Sequence, residues 1–335
     1  MVDGFMLQAA GPPTQTKRRR KLKHVTSIAQ HVENFRQHQT SDSIRDTLAE
    51  LSMRLLDPDD RDEFEGVDGP ITLVNHLVKT TEEQATLDYL WHTSAVFGSS
   101  WEAYEVQESL LFTIVTLCHA SLEDSIARAF LELSAARILW DVYVTLPLQL
   151  TSEFQPLVLG ALRNLAFSPP LPGTIPHEVL RESWRLVADA DATTEMRVIA
   201  AELLTNVVHH DATAIGATET EVAMLLDLFF ESDGDATLRL SVIDLLGNLC
   251  CDSGLCLVVI YALDERKPKY RYRHHSGAVY FLDLTDSERH NALRISMEAL
   301  AHNLSWSDPA GKRKIQKLGL SSFMNRFALE PAINN

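Results

Sequence analysis

The sequence predicts an all-α protein built from stacked helical repeats, and three observations lead to this prediction. The chain has 335 residues, of which 45% are hydrophobic, and this is enough apolar material for a large core. Long Leu/Ala-rich stretches dominate, whereas the apolar/polar alternation typical of strands is rare. Similar segments also recur at a fixed spacing, which is typical of a solenoid whose units bury their apolar faces against one another.

The recurring segments each carry apolar residues around an asparagine and then end in polar residues. They are ALRNLAFSPP, ELLTNVVHHD, DLLGNLCCDS and ALAHNLSWSD, with asparagines Asn164, Asn206, Asn248 and Asn303. The separations between these asparagines are 42, 42 and 55 residues. Two equal steps indicate a repeat, and the longer step indicates the same repeat with an insertion of about 13 residues.

Two longer stretches share the order of a glycine turn, a short apolar helix, a polar loop and a longer apolar helix. They are residues 66–97 and 215–250. Both resemble armadillo repeats, in which a glycine leads into the second helix and a long third helix ends in an LxNL stretch. The resemblance covers most of residues 45–330. It implies an all-α, right-handed superhelical solenoid of armadillo- or HEAT-like repeats.

The repeat pattern also predicts how the chain is divided. We expect a disordered basic tail at residues 1–24 and a solenoid of about six or seven units at 25–335, with an insertion near 265–290. One unit is predicted at 58–100, where His92 takes the place of the asparagine. The stretch 101–170 is expected to hold two units, one of them irregular, with LLFTIVTLCHASLED as a third helix.

The asparagines are the first candidates for a binding site. The resemblance implies that third-helix asparagines line a concave groove and bond the main chain of an extended partner. A side-chain amide offers both a donor and an acceptor, which suits an unpaired peptide unit. The alternative is that each asparagine ties its own helix to a neighbouring segment of the chain.

A row of acidic residues is predicted one helical turn before this position. It consists of Asp88, Glu202 and Asp244, each four residues before His92 or an asparagine, and residues four apart share a helix face. Carboxylates in this row favour a partner rich in Lys or Arg, although a solvated acidic face would show the same pattern. Nuclear-import receptors of the armadillo family carry tryptophan here. Its absence indicates that this chain is not a classical import receptor.

Charge is distributed unevenly along the chain. Residues 1–24 carry six basic residues and one acidic residue, so residues 25–335 carry 24 basic and 45 acidic residues. The basic cluster is typical of a nuclear-localisation signal, although it could instead occupy the acidic groove. It comprises Lys17, Arg18, Arg19, Arg20, Lys21 and Lys23.

The predicted insertion is the candidate for nucleic-acid contact. Basic residues that interleave with aromatic ones can hold phosphates and stack on bases. The residues are Lys267, Lys269, Tyr270, Arg271, Tyr272 and Arg273.

No catalytic or metal-binding motif accompanies these features. The sequence lacks a glycine-rich phosphate loop, a GxSxG motif and an HExxH motif, and its four cysteines match no common zinc spacing. We therefore predict a non-enzymatic protein-binding scaffold without cofactor or metal, located in the nucleus, the cytoplasm or both. Its partner is expected to present a basic or extended segment. The alternative is a nucleic-acid-associated subunit of a chromatin or other nuclear complex.

Overall fold

The structure, a computed structural model, describes most of the predicted solenoid. The described residues are 26–37, 41–93, 100–145, 151–169, 174–211, 213–231, 235–250, 253–265 and 291–305, with residues 313, 316 and 317. Within these ranges the chain is helical and contains no strand. No helix in the same ranges is both long and apolar enough to cross a membrane.

Fourteen helices of five or more residues are present in the described ranges, numbered here in chain order. They are α1 (Ile28–Gln37), α2 (Ser41–Arg54), α3 (Pro58–Gly66), α4 (Gly69–Thr93), α5 (Ser100–Ala120), α6 (Asp124–Glu132), α7 (Ala135–Thr145), α8 (Thr151–Phe167), α9 (His177–Ala188), α10 (Thr194–His210), α11 (Glu219–Glu231), α12 (Ala236–Leu249), α13 (Ser253–Glu265) and α14 (Asn291–Ser305).

The helices form two rows. We call the first the inner row: α2, α5, α8, α10, α12 and α14, each packed against the next. The second row runs through α4, α7, α9, α11 and α13, and its helices pack against the inner row. This arrangement is an all-α solenoid, as the sequence predicts.

The unit predicted at 58–100 is formed by a different set of helices in the structure. Helix α4, which carries His92, packs against α1, α3, α5, α6 and α7 and therefore belongs to the second row. The inner-row helix of this unit is α5, which packs against α2 and α8. The unit therefore extends from α3 to α5. The next comprises α6 to α8, where two had been expected over 101–170.

Local sequence explains where several helices begin. Asp57 caps α3, because its carboxylate accepts a hydrogen bond from the Asp59 N–H and Pro58 occupies the first helical position. Thr193 caps α10 by accepting from the Met196 N–H. Asp235 caps α12 in the same way, at 3.0 Å from the Leu238 N–H.

One continuous apolar core joins the units. Helices α10 and α12, which pack against each other, bury leucines completely, for example Leu203, Leu204 and Leu245. Burying a side chain of this size stabilises the fold by about 1.5–3 kcal/mol. Because no unit buries its apolar face alone, this core couples each unit to the next.

The turn between α3 and α4 requires glycine at Gly69 but not at Gly66. A Cβ atom at Gly69 would lie 2.4 Å from the ring of the fully buried Phe64 and 2.5 Å from its carbonyl oxygen. A Cβ atom at Gly66 would meet nothing within 4 Å.

We predict that Gly69→Ala lowers the free energy of unfolding by about 1–3 kcal/mol, because ring and backbone must both shift to admit the methyl group. Gly66→Ala is the matched control. It is expected to leave stability unchanged or to raise it by up to about 1 kcal/mol, since alanine is the better helix former. Chemical denaturation of both variants measures the difference, and an equal response would show that the close approach at Gly69 has no energetic effect.

Candidate functional site

The four predicted asparagines bond the main chain of the protein itself. In each case the side-chain Nδ2 donates to a carbonyl oxygen of the preceding inner-row helix. The pairs are Asn164 to Cys118 at 3.0 Å, Asn206 to Arg163 at 2.9 Å, Asn248 to Thr205 at 3.3 Å and Asn303 to Gly247 at 2.9 Å.

These bonds share one register. The acceptors for Asn206, Asn248 and Asn303 are the residues immediately before Asn164, Asn206 and Asn248, respectively. The longer chain between Asn248 and Asn303 leaves this offset unchanged. The asparagines therefore occupy one repeated position along the inner row.

A histidine continues the series in α5. The His119 Nδ1 lies 2.7 Å from the carbonyl oxygen of Ser52 in α2, and because a carbonyl only accepts, Nδ1 carries the proton. Asn164 in turn bonds Cys118, the residue before His119. We call the five side chains His119, Asn164, Asn206, Asn248 and Asn303 the cross-helix ladder.

His119 thus holds the place that the sequence analysis gave to His92. His92 and Asp88 lie near the end of α4 in the second row, and their side chains are outside the described part of the structure. The pattern around His119 was visible in the sequence, since LLFTIVTLCHASLED was predicted as a third helix. Both helices end in an apolar stretch with a histidine, so sequence alone did not distinguish them.

The ladder amides differ in how many of their N–H groups and oxygens remain available for further hydrogen bonds. Asn164 is buried, its Nδ2 also contacts the Cys118 Sγ at 3.3 Å, and its Oδ1 accepts from the Arg163 guanidinium at 3.1 and 3.2 Å. Both the nitrogen and the oxygen of this amide therefore form hydrogen bonds within the protein. Asn206, Asn248 and Asn303 are half-buried. Each keeps a second N–H and an oxygen that form no hydrogen bond with the described residues.

Two members of the predicted acidic row, Glu202 and Asp244, are also engaged within the protein. Glu202 forms an ion pair with Arg163 of the preceding helix, with 2.7 Å between Oε2 and Nη1. Asp244 is half-buried and accepts a hydrogen bond from the Ser296 side chain of α14. Burial raises the pKa of Asp244, the Ser296 hydrogen bond opposes this shift, and the charge of Glu202 adds to it. These carboxylates join neighbouring helices and do not form a freely solvated face.

Arg163 is a functional residue that the sequence reasoning missed. Its guanidinium joins Asn164 and Glu202, and its carbonyl oxygen accepts from Asn206. A single arginine therefore links α8 to α10 through both side chain and main chain.

The other predicted sites fall largely outside the described residues. This holds for the basic cluster at 17–23 and for the basic and aromatic residues at 267–273. Cys118, Cys250 and Cys256 are buried, and burial raises the pKa of the Cys118 thiol to about 11. Among the described residues no group of three or more His, Cys, Asp or Glu side chains is arranged to hold a metal ion.

A cleft of about 460 Å³ lies between α1, α2 and α4, and none of its lining residues belongs to the cross-helix ladder. Phe35, Arg36, Ile44 and His76 are among its lining residues. The His76 Nε2 lies 3.0 Å from the Ser109 hydroxyl, and burial lowers the pKa of this imidazole to about 4. Arg36 spans the cleft wall through a 3.0 Å hydrogen bond to Thr72. Two of the polar side chains that line the cleft, Arg36 and His76, are therefore hydrogen-bonded within the protein.

We predict that Asn206→Ala lowers the free energy of unfolding by about 1–3 kcal/mol, because the Arg163 carbonyl loses its donor inside a packed interface. Asn75→Ala in α4 is the matched control. Asn75 is exposed, so its replacement should change stability by no more than about 0.5 kcal/mol. Urea denaturation of both variants tests the ladder, and equal small effects would mean that the amide does not stabilise the helix pair.

Comparisons with known proteins agree with this architecture. No family model matches the chain, and the search of curated proteins gave no match. Among solved structures, an engineered protein (OR497) aligns with a TM-score of 0.63 at 14% identity, covering 92% of this chain and 65% of the other. A second engineered protein (OR329) aligns at 0.56 and 15% identity, covering 82% and 95%.

A designed armadillo repeat protein also aligns, with a TM-score of 0.56 at 12% identity, covering 83% of this chain and 100% of the other. At these identities the likeness concerns the fold alone. The chain has a generic armadillo-like repeat fold. This follows from the two helical rows, from the repeated register between inner-row helices and from these structural neighbours.

Proposed function

We propose that this chain is a non-enzymatic scaffold that binds a protein partner through a basic segment of that partner. The observation that carries the proposal is the excess of acidic over basic residues, 45 against 24 in residues 25–335, on a repeating helical array. A surface of one charge sign attracts partners of the opposite sign and raises the association rate.

The packing of the array supports a binding role. Consecutive inner-row helices are joined by the ladder hydrogen bonds, and α8 and α10 also by the Arg163–Glu202 ion pair. A preformed surface loses little conformational freedom when a partner binds, so more of the contact energy appears as affinity.

The ladder limits how an extended partner could bind. Asn164 has no hydrogen-bonding capacity left for a partner, whereas Asn206, Asn248 and Asn303 each have one N–H and one oxygen that bond none of the described residues. An extended main chain would therefore find fewer free amides than the four that the resemblance implies. The partner's basic side chains, drawn to the acidic surface, are the more general basis for recognition.

The acidic surface also argues against the nucleic-acid alternative, because acidic residues repel phosphates. That alternative depends on the basic residues at 17–23 and 267–273, which both lie outside the described ranges.

The test is a titration of the full chain with three fluorescent probes: an alternating Lys/Arg peptide, a Glu-rich peptide of equal length and a DNA duplex. We expect the basic peptide to bind and its affinity to fall between low salt and about 0.15 M salt, because exposed charges are screened over about 8 Å at that concentration. The Glu-rich peptide is expected not to bind. Tighter binding of the duplex at both salt concentrations would favour the nucleic-acid alternative, and absence of basic-peptide binding would refute the scaffold proposal.

We further propose that the scaffold acts in the nucleus, on the basis of the basic cluster at residues 17–23. Replacing the six basic residues of this cluster with alanine is expected to shift a fluorescent fusion toward the cytoplasm. The control replaces exposed Lys79 and Arg128, which lie outside the cluster. An unaltered nuclear fraction, or a wild-type protein that never enters the nucleus, would contradict this proposal.

A further inference from the structure

Three exposed apolar residues recur at the carboxyl ends of the first three inner-row helices: Leu56 and Leu122 lie in the turns after α2 and α5, and Phe167 is the last residue of α8. Leu122 and Phe167 each lie three residues after a ladder residue, His119 and Asn164. Leu56 lies three residues after Met53, which follows the His119 acceptor Ser52 and so corresponds to the same position in α2. The exposed fractions of Leu56, Leu122 and Phe167 are 46%, 48% and 69%. Single exposed apolar residues are common on protein surfaces. Recurrence in register over three consecutive units is not explained by that frequency.

Contacts across the units join the chain segments that carry these residues. The Arg61 Nη1 donates to the Leu55 carbonyl at 3.0 Å, and the Arg61 Nε lies 3.8 Å from Glu123, the residue after Leu122. At the next step the Ser168 hydroxyl donates to the Asp124 carboxylate at 2.5 Å. Ser168 follows Phe167 directly. These contacts join the chain neighbours of the three exposed residues, and we call Leu56, Leu122 and Phe167 the apolar edge.

Acidic residues flank the apolar edge. Asp57 follows Leu56 and is exposed, and Glu123 follows Leu122 and is partly exposed. Asp124 pairs with Arg128 at 2.8 Å, and both side chains are about half-exposed. Arg61 and Arg128 face Glu123 and Asp124, and the exposed His210 lies 2.8 Å from the Phe167 carbonyl through its Nε2. The three described carboxylates that follow the edge residues still outnumber the two arginines, which leaves an excess of negative charge for a partner's basic groups.

The ladder indicates the backbone conformation that such a partner should have. An extended segment needs donors and acceptors for its main chain, but His119 and Asn164 already bond the preceding helices. An α-helix satisfies its main-chain groups internally. Neighbouring helices pack about 8–10 Å apart, and seven residues of α-helix rise about 10.5 Å. Every seventh residue of a partner helix can therefore face one member of the apolar edge.

We infer that the apolar edge binds a basic amphipathic α-helix of another protein, with apolar residues about seven apart flanked by Lys and Arg. This inference rests on the protein-binding function proposed above and specifies its surface and partner. The contacts are apolar at the centre and charged at the rim, an arrangement typical of helix recognition by a hydrophobic groove.

The test uses three synthetic peptides of about 20 residues, a length at which an isolated helix becomes stable in water. The first carries leucines every seventh residue among alanines and lysines. The second has the same composition with the leucines scattered around the helix. The third keeps the leucine spacing but has a central proline, which breaks the helix. We expect the first peptide to bind the full chain at least about tenfold more tightly than either control.

Matched protein variants locate the site. Leu122→Ser and Phe167→Ser are each expected to weaken binding of the first peptide about three- to tenfold, through loss of apolar burial. Ile71→Ser and Val144→Ser are the controls, because these residues have comparable exposure, 48% and 55%, but lie in α4 and α7. The controls should leave the affinity unchanged. Since all four side chains are exposed, thermal melting should show that every variant is folded.

The outcomes separate this inference from the proposed function. If all three peptides bind equally and Leu122→Ser has no effect, the chain binds basic segments by charge alone and the apolar edge is not the site. If none of the peptides binds, the scaffold proposal fails as well. If the wild-type chain dimerises and Phe167→Ser abolishes dimerisation, the edge pairs with a second copy and the inference is overturned.

Discussion

The hydrogen bond from a ladder side chain to the main chain of the preceding helix is the interaction on which the rest of this structure depends. Apolar packing holds the helices together, but packing is non-directional and permits two helices to slide past one another. A donor that reaches one particular carbonyl fixes the axial position of each inner-row helix against its neighbour. The positions of Arg163, Glu202 and Asp244 follow from that register.

The same interaction changes how the asparagines are understood. An amide on a binding surface has to remain available, whereas Asn164 is buried and bonded through both its nitrogen and its oxygen. A buried amide without partners would cost about 1–3 kcal/mol, so this bonding is what permits an asparagine in the core. At Asn164 the ladder is part of the scaffold. In the proposed scaffold, recognition then falls to the more exposed side chains at the edges of the row.

Much of the fold could be predicted from the sequence, because repeats leave a period that needs no knowledge of tertiary contacts. The equal steps between Asn164, Asn206 and Asn248 located three inner-row helices. The sequence analysis assigned the position of His119 in α5 to His92 in α4, and this has a physical reason. Both helices bury apolar faces, and a local sequence pattern does not reveal which row a helix joins. Likewise the spacing of Glu202 and Asp244 from the asparagines gave their helix face. It could not show that Arg163, 39 residues earlier, pairs with Glu202.

The acceptors of the ladder differ from one unit to the next: serine, cysteine, arginine, threonine and glycine supply the oxygen in turn. Every residue has a main-chain carbonyl, so mutation of the acceptor residue leaves the bonding partner in place. Only the donor is constrained, and histidine can substitute for asparagine there. A hydrogen bond of this kind needs no compensating change in the adjacent unit. The sequences of the units can therefore diverge during evolution, and whole units can be duplicated or lost, while the helices keep their alignment.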